Sequence, residues 1–504
     1  MSEKFTALER YQKETILFLN QLKGKPIDES SIGIVLSQLK FQQNASILSK
    51  QIQLVSIQLL EKSIDTSIDL LLKYGGINDV LLYLKSSDQQ VQKASVNCLK
   101  SFVDACKSTS FIKMEDFESL VVIYKEGLTL NEIYSLFGSI CLYSLEYAEK
   151  LDELLVVEDV CAKMISKKTC SSICSLLKGL SGFEKFSCSD RILSSIFEAI
   201  TKELAFNITM DCLVKLSETG IKAASKIASH SHFMSTISNL LASNDLKKKA
   251  VAMRLCVSIS KHGKESADSL AVFIGPVCVE YLNTVPNEFK NDCLLTIGCI
   301  SAENSSFCDN MVALNIFDVL YRILSSTKSD SNIQSSSIWC LTHITKQSEE
   351  VATKCSEKGF ISIAYHFLEV SQDAELQAKC ERFLKTILPL SCSSDSMVCL
   401  LEKQVNPSIL FLILKRLEKL LESNEERKKF LKNGHLHKLQ TLRKFYFGST
   451  SGKIVESIDK INQFFPSDVV QVCSPEYQDI LSLKLDNYVA DNQAREATVS
   501  GDQQ

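Results

Sequence analysis

A helical unit recurring about every 41 residues constrains this chain more than any other feature. Each unit opens on an apolar helix, turns through a polar stretch and runs into a second, longer apolar helix. The first helices are expected at Ile34, Ile77, Phe117, Val160, Ile192, Phe233, Val277, Phe317 and Ile361. The intervals between them are 43, 40, 43, 32, 41, 44, 40 and 44 residues. That period belongs to armadillo and HEAT arrays. Units of this kind cannot bury their apolar faces alone, so they stack into a solenoid. The expected fold is therefore all-α, an armadillo-type right-handed solenoid of about eight to ten repeats with helical caps. Solenoids are mostly binding and scaffolding devices, which weighs against an enzyme.

The long helices carry the pattern most clearly. VQKASVNCLKSFV holds Leu99 and Phe102, KAVAMRLCVSI holds Leu255 and Ile259, SSSIWCLTHI holds Leu341 and Ile344, and LQAKCERFLKTI holds Leu384 and Ile387. Apolar residues three or four apart share one helix face, and repetition at a fixed period aligns those faces into one core. Ser86-Ser87-Asp88, Ser243-Asn244-Asp245 and Ser371-Gln372-Asp373 offer cap oxygens just before long helices. Gly75-Gly76 and Gly359 precede first helices, where a reversal favours a residue tolerant of positive φ. Residues 112–215 follow the pattern least well, and the 32-residue interval marks a shortened unit, a degenerate one or a misplaced start.

Composition agrees with long helices. The 504 residues include only 7 prolines and 17 glycines, and 45% are hydrophobic. The charged, amphipathic start is not a secretory signal. The longest apolar runs, such as Ile409 to Leu414, are too short to span a bilayer. An intracellular, soluble protein is expected. Many of the 19 cysteines, including Cys98, Cys256, Cys293, Cys299 and Cys340, fall on apolar helix faces and read as reduced core residues.

No phosphate loop, dinucleotide fingerprint, zinc-protease helix or serine elbow occurs. His230/His232 and His435/His437 are two apart and diverge on a helix, so they make poor joint ligands. Cys170 and Cys174 would share a helix face, but the other half of a zinc site is missing nearby. Trp339, the only tryptophan, is followed four residues later by His343 and reads as a core or groove aromatic. No catalytic, cofactor-binding or metal-binding residues are expected, and no cofactor.

Charge is uneven. The formal net charge is −4, which argues against general nucleic-acid binding. Residues 402–453 hold 12 Lys or Arg against 5 Asp or Glu. After Pro407 comes the stripe Ile409, Leu410, Ile413, Leu414, Leu417, Leu420 and Leu421. Lys415, Arg416, Lys419, Arg427, Lys428, Lys429, Arg443 and Lys444 are the candidates for an electrostatic contact with an acidic partner. A solvated helix face is the alternative.

The end of the chain, INQFFPSDVVQVCSPEYQDILSLKLDNY, resembles the C-terminal signature of the sperm-associated antigen 6 family. The matching positions are Phe465, Pro466, Asp468, Val470, Ser474, Pro475, Tyr477, Leu481, Leu485, Asp486 and Tyr488. Tyr11-Gln12-Lys13 with Phe18 is similar to the family's start. Ile259 to Leu270, Ile338 to Ala352, Glu425-Glu426-Arg427, Phe430 and Asn433-Gly434 resemble its repeats. Thr345-Lys346-Gln347 departs from the family's Lys-His passage, as does 112–215, so the likeness is to a divergent member.

The resemblance implies an armadillo scaffold of the ciliary central apparatus, in the cytoskeleton of a motile cilium or flagellum. It implies no catalysis, and partners among central-pair proteins and the microtubule (tubulin), with homotypic association possible. Neither nucleic acid nor membrane is an expected partner. The division expected is an N-terminal helical cap over 1–30, an armadillo array over 31–400, basic terminal repeats over 401–447, a helical cap with the signature over 448–488, and a disordered tail over 489–504. The alternative reading is a cytosolic armadillo adaptor in trafficking or degradation, unrelated to cilia.

Overall fold

A computed structural model describes residues 48–49, 51–52, 76–127, 130–183, 186, 188–326, 330–401, 405–447, 452–477, 481 and 488–489. Ile34, the expected cap over 1–30 and, except for Val489, the expected tail over 489–504 lie outside them. Every regular element among the described residues is helical. The chain divides into two compact units, Met1–His262 and Gly263–Gln504. In each unit the helices pack in series, the arrangement of a helical solenoid.

In the first unit the long helices are Gln89–Cys106, Leu130–Tyr143, Lys167–Leu180, Phe206–Ser217 and Leu246–Ser260. Each packs on the next along the row. The second unit repeats the device with Lys290–Glu303, Ser331–Thr345, Ala374–Ile387, Pro407–Leu420 and Gly452–Asn462. The apolar pairs read from sequence line these rows: Leu99, Phe102, Leu255, Ile259, Leu341, Ile344, Leu384 and Ile387 are all buried. Burying one such side chain contributes about 1.5–3 kcal/mol, so stacking supplies what no single unit has.

All but one of the described starts expected from sequence fall inside the shorter helices, though not always at their first residue. Phe117 lies in Met114–Lys125, Phe233 in Phe233–Ala242, Phe317 in Ile316–Ser325 and Ile361 in Phe360–Val370. Val160 lies in a helix of only five residues, Val157–Cys161. The 32-residue interval arises beyond it: among the described residues a single helix, Asp190–Thr201, separates the long helices Lys167–Leu180 and Phe206–Ser217, where the gaps on either side hold two short helices. Residues 114–217 are as helical as the rest. Val277 is the exception in kind. It sits deep within the 21-residue helix Lys264–Thr284, one position past Pro276. There the short and medium helices of the other units are fused, and neighbouring Ile274 and Cys278 fill the core in its place.

Capping follows one chemical rule at three places. Asp88, Asp245 and Asp373 each accept hydrogen bonds from the two backbone N–H groups two and three residues on. Ser86, Ser243 and Ser371 in turn accept from the N–H of their aspartate, at 3.1–3.2 Å. Two of the orphan donors at each helix start are satisfied and the entering turn is fixed at the same time. Gly359 takes φ +85° just before Phe360–Val370, as the expected reversal requires.

Neighbouring units are also stitched by polar bonds about 40 residues apart. Ser217 and Ser258 share a hydroxyl bond of 2.7 Å, Ser356 and Ser391 one of 2.8 Å, and Gln347 donates to the Ser301 carbonyl at 2.6 Å. Fourteen of the 19 cysteines are buried, and burial pushes the Cys98 thiol up to about 12. These thiols serve as small apolar residues.

Candidate functional site

The basic end begins on the helix Pro407–Leu420. Proline occupies its first turn, where no N–H is needed, and the Asn406 side chain accepts from the Ser408 N–H at 2.9 Å. Ile409, Leu410, Ile413, Leu414 and Leu417 are buried, as is Leu421 just beyond, while Leu420 is half-exposed. The apolar stripe therefore sets which cations face outward.

The structure distributes the eight candidate cations into three situations. Arg416 is an internal brace. Its side chain is only 11% exposed. Its guanidinium donates to the Ser391 carbonyl at 2.8 Å and the Leu390 carbonyl at 3.3 Å, holding the segment that follows Ala374–Ile387. Arg427 is half-buried beside the signature, donating to the Phe464 carbonyl at 3.5 Å with its charge 5.9 Å from that ring's centre.

Four more are paired within the chain. Lys415 meets Glu418 at 2.8 Å, Lys429 meets Asp395 at 3.3 Å, Arg443 meets Asp459 at 2.7 Å and Lys444 meets Glu476 at 4.0 Å. Lys419 and Lys428 are exposed and form no ion pair among the described residues. The eight are thus not one uniform patch, because most of their charge is answered locally.

Asp395 organises one corner of this end. It accepts from His435 Nε2 at 2.6 Å and from the Asn433 amide at 3.0 Å, and it pairs with Lys429. Partial burial disfavours its charged form, but those three donors outweigh burial and hold the carboxyl below the usual range. This joins the helix His435–Tyr446 and its preceding turn to the short helix Ser394–Val398.

The C-terminal signature lies against the same end. Phe465 is buried and stacks on Phe430, ring centres 6.1 Å apart. Pro466 opens the helix Ser467–Val472. Ser474 donates to the Gln471 carbonyl at 2.7 Å and accepts from the Tyr477 N–H at 3.3 Å, making a tight turn through Pro475. His437 bonds the Cys473 carbonyl at 2.9 Å, which ties the turn to His435–Tyr446. Leu481 and Tyr488 are exposed, at 48% and 66%. Leu485 and Asp486 lie outside the described residues.

Sequence reasoning missed Asp395, its bond to His435 and the bracing role of Arg416. Their partners lie 24 to 40 residues away, and no local spacing announces them. The His230 and His232 rings lie 5.6 Å apart, centre to centre. His230 also stacks on Phe197, and His437 serves the turn. Among the described residues no group of three or more His, Cys, Asp or Glu is arranged to hold a metal ion. No helix of the described residues is long and apolar enough to cross a membrane.

The chain matches no protein-family model. Over 165 residues it is 23% identical to Sperm-associated antigen 6 of Homo sapiens, a match covering 32% of this chain and 31% of that protein. The match thus spans about a third of the relative's length. The fold is similar to the crystal structure of an engineered protein from the Northeast Structural Genomics Consortium, with a TM-score of 0.58 and 15% identity. That likeness covers 87% of this chain and 99% of the other, and it speaks to fold alone. Together these findings place a helical solenoid beside a distant relationship to Sperm-associated antigen 6.

Proposed function

We propose that this chain is a non-catalytic, armadillo-type scaffold of the motile axoneme, associated with a central-pair microtubule and supporting its stability and beating through protein contacts. The observation that carries the proposal is that within each unit the long helices pack one on the next, in a chain with distant likeness to Sperm-associated antigen 6. Within a unit such packing presents successive helix faces on a shared core, which suits display of side chains to several partners at once. Central-pair proteins, the microtubule and further copies of the chain are the partners this reading assigns.

The contact at the basic end would centre on Lys419 and Lys428, whose charges are unanswered among the described residues, with Lys429 and Lys444 beside them. Lys415, Arg427 and Arg443 contribute to the local field while engaged within the chain, and Arg416 supports the platform. The turn from Phe465 to Tyr477 would close the array, leaving Leu481 and Tyr488 to meet a neighbour. Pelleting of the purified protein with microtubules tests the contact. The wild type should pellet at low salt and be released as ionic strength rises. The double reversal Lys419→Glu, Lys428→Glu should weaken pelleting about tenfold. Failure of the wild type to pellet, or identical behaviour of the reversed variant, would refute a microtubule contact at this end.

A further inference from the structure

We propose that the face of the Ser331–Thr345 helix bearing Trp339 and His343, together with Lys346 and Arg382, is a docking site for an acidic, extended segment of a partner protein. The two rings sit one helical turn apart with centres 4.5 Å from each other, and both are half-exposed. They therefore form an aromatic shelf on the surface of the row. The shelf is held from beneath. The Trp339 ring lies against Gly298 of the preceding long helix, where any Cβ would collide with it. Glycine at 298 lets the indole reach across to the neighbouring helix.

The two charges that act on His343 are both positive. Lys346 follows the same helix, and Arg382 stands on the next long helix, Ala374–Ile387. Both are exposed, and neither has an ion-pair partner among the described residues. This differs from the basic end, where most cations are neutralised within the chain. Burial, then the nearby Arg382 and Lys346 charges, hold the His343 imidazole below its ordinary value. His343 Nδ1 is buried without a hydrogen-bond partner. The shelf thus combines stacking surface with two unanswered cations. A carboxylate-bearing segment complements both, whereas a basic segment would be repelled. The negative charge of the chain as a whole favours a protein segment over a nucleic acid.

The chain carries its own reporter, since Trp339 is its only tryptophan. The full chain is titrated with a blocked polyglutamate peptide, and tryptophan emission is followed. Polylysine and oligothymidylate serve as competing probes. The expected result is a saturable emission change with polyglutamate at low salt that weakens as salt rises. Arg382→Glu and Lys346→Glu should each weaken it about fivefold while far-ultraviolet circular dichroism stays unchanged. If either variant misfolds, the other variant and the salt series on the native chain still decide. No saturable change, equal binding by both reversed variants, or tighter binding of oligothymidylate would overturn the proposal.

Discussion

Two pairs of residues, each 41 positions apart on adjacent long helices, show the same repeat used in opposite ways. In the first unit Gly138 faces Gly179, and the helices Leu130–Tyr143 and Lys167–Leu180 meet backbone to backbone. In the second unit Gly298 faces Trp339, and an indole fills the space between the two helices. The first pair closes a helix crossing, whereas the second furnishes a surface. A repeat period fixes which positions meet, but side-chain size decides whether the meeting is packing or presentation.

That contrast can be broken by substitution. Gly179→Val should cause the largest loss, about 3 kcal/mol, because its Cβ meets the Gly138 backbone and the helices must separate. Gly298→Ala should cost about 1 kcal/mol, because the obstacle is a ring able to swing aside. It should also shift tryptophan emission, which Gly179→Val should change much less. Urea midpoints and emission spectra of both variants measure this. Equal losses, or no emission change in Gly298→Ala, would contradict the comparison.

Caps should matter less than crossings. Asp88→Ala removes an acceptor for the Gln90 and Val91 N–H groups and should cost about 1 kcal/mol, read by thermal unfolding. The surface pair between Lys358 and Asp318, 2.6 Å long, should contribute at most about 0.5 kcal/mol in a double-mutant cycle.

His343 sharpens the comparison through pH. Its imidazole is held below the ordinary 6.5 in the folded chain by burial and by Arg382 and Lys346. The unfolded chain then binds the proton first as pH falls. His343 should make stability decline below about pH 6.5 and level off once pH is below the folded value. His343→Gln should remove that part of the slope, and an unchanged slope would contradict it.

Much of the fold is legible in the sequence because its determinants are local. The apolar pairs at Leu255 and Ile259, or Leu341 and Ile344, lie within one helix, as do the serine–aspartate caps. Val277 misled because Pro276 sits inside one long helix where the other units have a break. The candidate site was legible only as a charge excess. Arg416 bonds carbonyls 25 and 26 residues away, and Asp395 gathers donors from 34 to 40 residues on. Composition places these charges at one end of the chain but not their partners, so it overstates how many remain free.

The most direct test of the scaffold reading is fractionation of flagella from cells that express this protein, by detergent and then by salt. The account predicts retention in the axonemal pellet after detergent and release only as salt is raised. Absence from flagella, or complete release by detergent alone, would contradict it and favour a cytosolic adaptor.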